Sequence, residues 1–173
     1  NGDKIVDTRL EIINVKTDIS LNQLEKAIKE LVKNNVLVGV PRDKDIRQGD
    51  SQYDNYENEV TNASLMYLHT NGSPLQNIPA RPVIEAALFA YRPRIVKGMK
   101  QIILDVLTGK PANSGFEKVG LLSQNICQDW FDDPKNNWAP NAPMTIALKG
   151  SDKPLIDTGQ LRKSIVYIVD KGG

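Results

Sequence analysis

His69 is the sole histidine of this sequence and the one side chain whose ordinary pKa lies near neutrality, so unperturbed acid–base chemistry at pH 7 would run through it. Ser64 and Ser73 stand close by in sequence, but neither sits in a G-x-S-x-G turn and no carboxylate spacing recommends a triad. The ordinary reading of His69 is a surface or helix-end histidine. Asp157-Thr158-Gly159 is a second candidate, because paired D-T-G triplets supply the two carboxylates of aspartic proteases. Here a single copy runs into Gln160-Leu161-Arg162 instead of an apolar strand, so that chemistry would need two subunits to pair their aspartates. A small hydrolase using His69 or Asp157 is the alternative these residues leave open. Cys127 falls on an apolar helical stripe, where a free thiol acts as a small buried hydrophobe. One cysteine and one histidine make no zinc or iron ligand set. Asp43-x-Asp45 with Gly49 and Asp50 lacks the regular oxygens and closing glutamate of a calcium loop. Gly109-Lys110-Pro111 lacks the spacing of a phosphate loop. The expectation is no catalytic residue, no cofactor and no metal.

Charge sets the next limit. The 173 residues carry 22 Lys+Arg against 21 Asp+Glu, a net charge of +1, which is not the broad surplus of a duplex nucleic-acid binder. A local basic run remains: Arg81, then Arg92, Arg94, Lys97 and Lys100, which reads either as a solvated face or as a contact for phosphate or an acidic partner. With 40% hydrophobic and 25% charged residues the composition is that of one globular domain. No apolar run approaches the roughly 18 residues of a membrane span, and Asn1 to Lys16 lacks the apolar stretch of a signal peptide. A soluble intracellular product is expected.

Helices and strands must position these residues. The Ile- and Val-rich stretch 5–16 predicts a strand. Ser20 with Gln23 is a capping box opening a helix over 21–34, and the apolar run 36–40 predicts a buried strand. Residues 42–59 are polar and predict an exposed loop. Thr61 or Asn62 caps a brief helix ending near Asn71-Gly72. Ile78-Pro79-Ala80-Arg81-Pro82 predicts a stiff extended strut. A short helix over 83–91 precedes a second from Pro93 to Thr108, with Ile95, Met99, Ile102, Ile103 and Val106 along one side. A third, capped by Asn113 or Ser114, carries Val119, Leu122, Ile126, Trp130 and Phe131, and should pair antiparallel with the second. A proline-rich loop over 132–154 leads to a capped turn at Asp157 or Thr158, where Gly159 would allow close approach, and then to a strand over 164–169 that pairs with 36–40. The fold class expected is α+β: one domain over 1–173, a small mostly antiparallel sheet covered by three or four helices, with extended loops near 42–59 and 132–154.

Three segments taken together carry a resemblance. They are NASLMYLHTNGSP at 62–74, IPARPVI at 78–84, and WAPNAPMTI followed by KGSDKPLIDTGQLRKSI across 138–165. The chain resembles the neck, or tail-completion, proteins of long-tailed bacteriophages, a family of virion morphogenesis and minor tail components. Pro79, Arg81 and Pro82 match that family's I-P-x-R-P-F element, with Val83 where an aromatic is usual. Trp138, Pro140 and Thr145 match its W-x-P segment, and Leu155, Asp157, Thr158, Gly159, Leu161, Ser164 and Ile165 match its L-x-D-T-G-x-L-x-x-S-I ending. The matches cover the C-terminal two thirds in order.

The resemblance implies a structural virion protein of the head-to-tail neck, present in the host cytoplasm during assembly and without catalytic residues. It implies a homo-oligomeric ring, hexameric by preference and dodecameric as the alternative. The implied neighbours are connector or head-completion proteins on one side and tail-terminator or tail-tube proteins on the other, with DNA passing transiently through the ring and no membrane contact. Loops 42–59 and 132–154 would reach neighbouring subunits, and Arg92, Arg94, Lys97 and Lys100 would face an acidic partner in preference to DNA.

Overall fold

The computed structural model describes residues 20–46, 61–156 and 158–172. The strand expected over 5–16, residues 47–59 of the expected loop, and Asp157 lie outside the described residues. What is described is α+β: seven helices and a two-stranded antiparallel sheet.

Helix α1, Leu21–Val32, opens on the expected capping box: Gln23 N donates to Ser20 Oγ at 3.3 Å, and Ser20 N donates to Gln23 Oε1 at 2.9 Å. It stops short of Asn34, whose Nδ2 donates to Glu30 O at 2.7 Å while its backbone begins strand β1, Asn34–Gly39. Strand β2 runs Val166–Lys171 and pairs antiparallel with β1, Val36 opposite Val169 and Val38 opposite Tyr167. Both strands are offset from expectation, β2 by two residues, because Ser164 and Ile165 close the turn before it. Ser164 Oγ donates to Leu161 O at 2.8 Å, and the Ile165 side chain is fully buried. Period-two alternation puts Leu37 opposite Ile168 on the outer face, where both stay about half exposed.

Thr61 caps α2, Asn62–Asn71, accepting from Ser64 N. Helices α3, Ile84–Ala90, and α4, Arg92–Leu107, are separated at Tyr91 because Pro93 cannot donate to the ladder of the preceding turn. Helix α5, Asn113–Asp129, begins at Ala112 and not on a side-chain cap at Asn113 or Ser114. A distant group serves that end: Glu30 Oε1 of α1 accepts from Ala112 N at 2.8 Å. Helices α4 and α5 run antiparallel in close contact. A Cβ on Gly98 would lie 2.8 Å from Val119 Cγ2, and one on Gly115 would lie 2.7 Å from Ile102 Cγ1, so the pairing advances on one helix as it recedes on the other.

The expected apolar side of α4 divides. Ile102 and Val106 are buried, while Met99 and Ile103 remain exposed because α5 covers only one flank of the helix. Helix α5 is the spine of the core. Phe116 and Val119 join Ala27, Ile102 and Val106 in one apolar cluster; Ile126, Cys127 and Trp130 join Met66, Val83, Phe131 and Ile165 in the other. Cys127 is a core residue whose thiol burial pushes up to about 12.

The same helix holds β2. Tyr167 N donates to Gln124 Oε1 at 3.0 Å, and Gln128 Nε2 donates to Ile165 O at 2.8 Å. One turn before these links Gly120 lies under the Tyr167 ring, where a Cβ would overlap Cδ2. Gly120→Ala is therefore expected to lose about 1–3 kcal/mol by overpacking, read as a lower denaturation midpoint in urea. An unchanged midpoint would mean that the ring swings aside without cost.

The span 132–154 is not one extended loop. It contains a short 3-10 turn at Pro134–Asn136 and helix α6, Pro143–Lys149. Pro143 is preset for the first turn of α6 and Gly150 closes it in the left-handed region at φ 67°. The last helix, α7, Gln160–Lys163, is one turn long.

Candidate functional site

The three resemblance-bearing segments are far apart in sequence and are tied together in space. Gly72 ends α2, and a two-way bridge between Ser73 and Ile78 turns the chain back, with N to O distances of 2.8 and 2.9 Å. Arg81 N then donates to His69 O at 2.6 Å, fastening the strut to the end of α2. The strut turns Arg81 and Val83 inward and leaves Pro79 and Pro82 exposed. Val83 is fully buried with no aromatic ring at that position.

Arg81 makes the longest link in the site. Its side chain is 6% exposed, and its donors go to main-chain carbonyls: Nε to Ala139 O at 3.2 Å, Nη2 to Ala139 O at 2.8 Å, and Nη2 to Pro140 O at 3.2 Å. No described carboxylate forms a salt bridge with it. The two carbonyls flank the link between Trp138 and Asn141, so Pro140 serves the site through its backbone. Trp138 packs edge-on against Phe131 at 5.8 Å, and Trp130 Nε1 donates to Pro82 O at 3.1 Å. Asn141 is buried and its Nδ2 donates to Asp152 O at 3.1 Å, joining the two ends of the third segment.

The C-terminal motif closes the arrangement. Thr158 Oγ1 accepts from Gln160 N at 3.4 Å, but the residue that opens α7 is Gly159 and no side chain caps the helix, unlike the cap expected at Thr158. Gly159 adopts φ 75°, and the nearest atom to a Cβ built there is Lys163 Cε at 4.0 Å. The glycine is required by its left-handed backbone, and not by the expected close approach. Leu161 is buried against the core cluster around Trp130. Arg162 and Lys153 converge on Asp132, Nη1 to Oδ2 at 2.9 Å and Nζ to Oδ1 at 2.7 Å. The hydrogen bond from Lys153, reinforced by the charges of Lys153 and Arg162, holds the Asp132 carboxyl below its ordinary value against the opposing effect of burial.

These links enclose a cleft of about 200 Å3 lined from every segment, by His69, Arg81, Asn141, Thr145, Thr158 and Leu161 among others. A larger hollow of about 600 Å3, between α1 and the α4–α5 turn, contains none of the motif residues. His69 is the helix-end histidine expected, in the last turn of α2, but it is half-buried and not a surface residue. Its ring lines the cleft and its Nδ1 is buried with no described hydrogen-bond partner. Burial first, then the charges of Arg81 and Lys149, lower its pKa. A histidine acting as a base is normally oriented by a hydrogen bond on its other nitrogen, and none is described here. Asp157, the other catalytic candidate, lies outside the described residues.

The His69 shift has a signed consequence. Its unfolded form takes up a proton at higher pH than its folded form, so stability falls as pH drops through about 6.5 and levels off below the folded value. The carboxylates lowered in the fold lose their contribution only around and below their ordinary 3.8. Among the described residues the slope between pH 7 and 5 therefore belongs to His69, and His69→Gln should flatten it in urea denaturation series run at stepped pH. An identical slope in the variant would contradict the assignment.

The four basic residues on α4 form no part of this cleft, whereas Arg81 lines it. Arg92, Arg94, Lys97 and Lys100 are exposed on α4. Arg94 turns to the Tyr91 ring, its Cζ 5.7 Å from the centroid, beside Lys135 Nζ at 4.5 Å. Tyr91 OH in turn donates to Asp133. Arg92 and Lys100 recur at helical spacing with Val96, Met99 and Ile103 along a separate strip, which Lys97 borders. Sequence reasoning missed Trp130 and Asn141 as links and the Asp132–Lys153–Arg162 group; only the heavy use of Trp, Pro and Asn between 130 and 141 hinted at them.

No protein-family model, no curated protein and no solved structure matches this chain.

Proposed function

We propose that this chain is a structural protein of the head-to-tail neck of a long-tailed phage virion, forming a ring that joins the tail to the head connector. The observation that carries the reading is the convergence of its three motif segments on Arg81. The matched residues act as structural latches: Arg81 on the carbonyls of Ala139 and Pro140, Pro82 accepting from Trp130, Leu161 in the core. That is how residues serve a shape that must present loops in a fixed arrangement. A hydrolase would instead need a nucleophile aligned with an oriented base, and the described residues around His69 supply no such pair.

Surface chemistry also favours assembly. Leu21, Ile28 and Val32 on α1, Phe89 on α3 and Met144 and Leu148 on α6 are all more than half exposed, far apart on the chain. A ring needs two different faces on each subunit, one meeting the other across a closing rotation, and apolar surface on separate elements suits that demand. The count is six by preference and twelve as the alternative, with the connector or head-completion protein on one side and the tail terminator or tube on the other. The virion neck is its place after assembly in the host cytoplasm.

The absolute mass of the purified chain, measured by light scattering alone and with particles lacking it, tests this. A closed ring, or a monomer that becomes a ring on particles, is expected. A stable monomer that never binds particles would refute the reading.

A further inference from the structure

Resting on the ring reading above, we propose that residues 47–60 of one copy form an acidic arm that docks on the basic and apolar strip of α4 in a neighbouring copy.

The arm is defined by its stem. Asn62 N donates to Asp45 O at 2.9 Å, Ala63 N donates to Asp45 Oδ1 at 2.6 Å, and Asn62 Nδ2 donates to Lys44 O at 2.9 Å. The chain thus leaves and returns at one point. Fourteen residues pinned at both ends reach at most about 23 Å from the stem, half their contour at roughly 3.3 Å per residue.

Charge selects the receiving surface. The arm has one cation, Arg47, against Asp50, Asp54, Glu57 and Glu59, a net charge of −3, with Tyr53 and Tyr56 among them. Along α4, Arg92, Lys97 and Lys100 are exposed and pair with no described carboxylate. Interleaved with them, Val96, Met99 and Ile103 are each about 40% exposed. Carboxylates suit the cations, and tyrosine rings suit both the apolar side chains and the lysine stems between them. The phosphate backbone of DNA would meet the cations but leave the apolar residues uncovered. Pairing the arm with a different surface of the next copy is also the head-to-tail contact from which a ring closes.

The test uses a fluorescent peptide of residues 47–60 titrated against the full chain, against the chain carrying Lys97→Glu with Lys100→Glu, and against short duplex DNA as competitor. The double reversal should weaken peptide binding at least tenfold and raise the concentration at which the chain assembles, and Asp54→Lys with Glu57→Lys in the same chain should restore assembly. Peptide binding that is absent, or that survives the reversal at 97 and 100, overturns the proposal even if rings form. DNA that binds in a Lys97- and Lys100-dependent manner while the peptide does not would assign the strip to nucleic acid and overturn it equally. Peptide binding that depends on those lysines supports the docking even where the chain forms no ring, and then the ring reading alone fails.

Discussion

Arg81→Ala is expected to cost about 3–5 kcal/mol of folding stability, among the largest losses from a single side-chain deletion in the motif segments. Hydrogen bonds from a charged donor contribute about 1.5–3 kcal/mol each, and this guanidinium makes three of them, sharing two acceptors, so their sum is an upper bound. The deletion also leaves the carbonyls of Ala139 and Pro140 without this donor and unties the strut from the Trp138 segment. Arg81→Lys should recover less than half of the loss, because an ammonium cannot reproduce the two-point grip of Nε and Nη2 on Ala139 O. Urea denaturation of the three proteins checks this. A loss below about 1 kcal/mol for alanine would show that the strut and the Trp138 segment hold together without the latch.

Gly72→Ala is expected to rival it, at about 3 kcal/mol or more, by a different mechanism. Gly72 has φ 71° and ψ 178°, a region essentially closed to residues with a side chain and worth about 1–3 kcal/mol of strain. A Cβ there would also lie 2.7 Å from Ala80 N and 2.8 Å from Ile78 O. Both are backbone atoms of the strut, which cannot rotate away as a side chain could. Relief requires α2 and the strut to part, stretching the bond from Arg81 N to His69 O. The amide of Arg81 should therefore exchange faster with solvent in the variant. Gly150→Ala is the control: its φ is 67°, but no atom lies within 4 Å of a Cβ there, so only backbone strain is added. Equal losses at the two positions would show that the contact with the strut is not what makes Gly72 necessary.

Where the signal was local, the sequence disclosed the fold. The Ser20–Gln23 capping box, the Thr61 cap and the break between α3 and α4 at Pro93 all follow from nearest-neighbour chemistry, and the apolar runs marked both strands. The start of α5 was misread for the opposite reason: its first N–H is satisfied by Glu30, eighty-two residues away, and no local pattern encodes such a partner. Helix α6 was legible and overlooked, since proline at its first position and glycine after its last are ordinary boundary signals that the surrounding prolines obscured. At the site, the motif residues were identified by type, but the sequence could not show that Arg81 reaches across fifty-eight positions to a carbonyl. Nor could it place His69, whose burial depends on the cleft that those long-range links create.

The most direct measurement of the central claim is the number of joined particles, counted by negative stain, when heads and tails lacking this protein are supplied with purified chain. On the proposed neck reading, in which the cleft histidine serves the fold alone, wild-type protein and His69→Ala should restore joining to the same extent. Particles that stay unjoined with folded wild-type chain, or a His69→Ala chain that folds and loses a measurable hydrolytic activity, would contradict it.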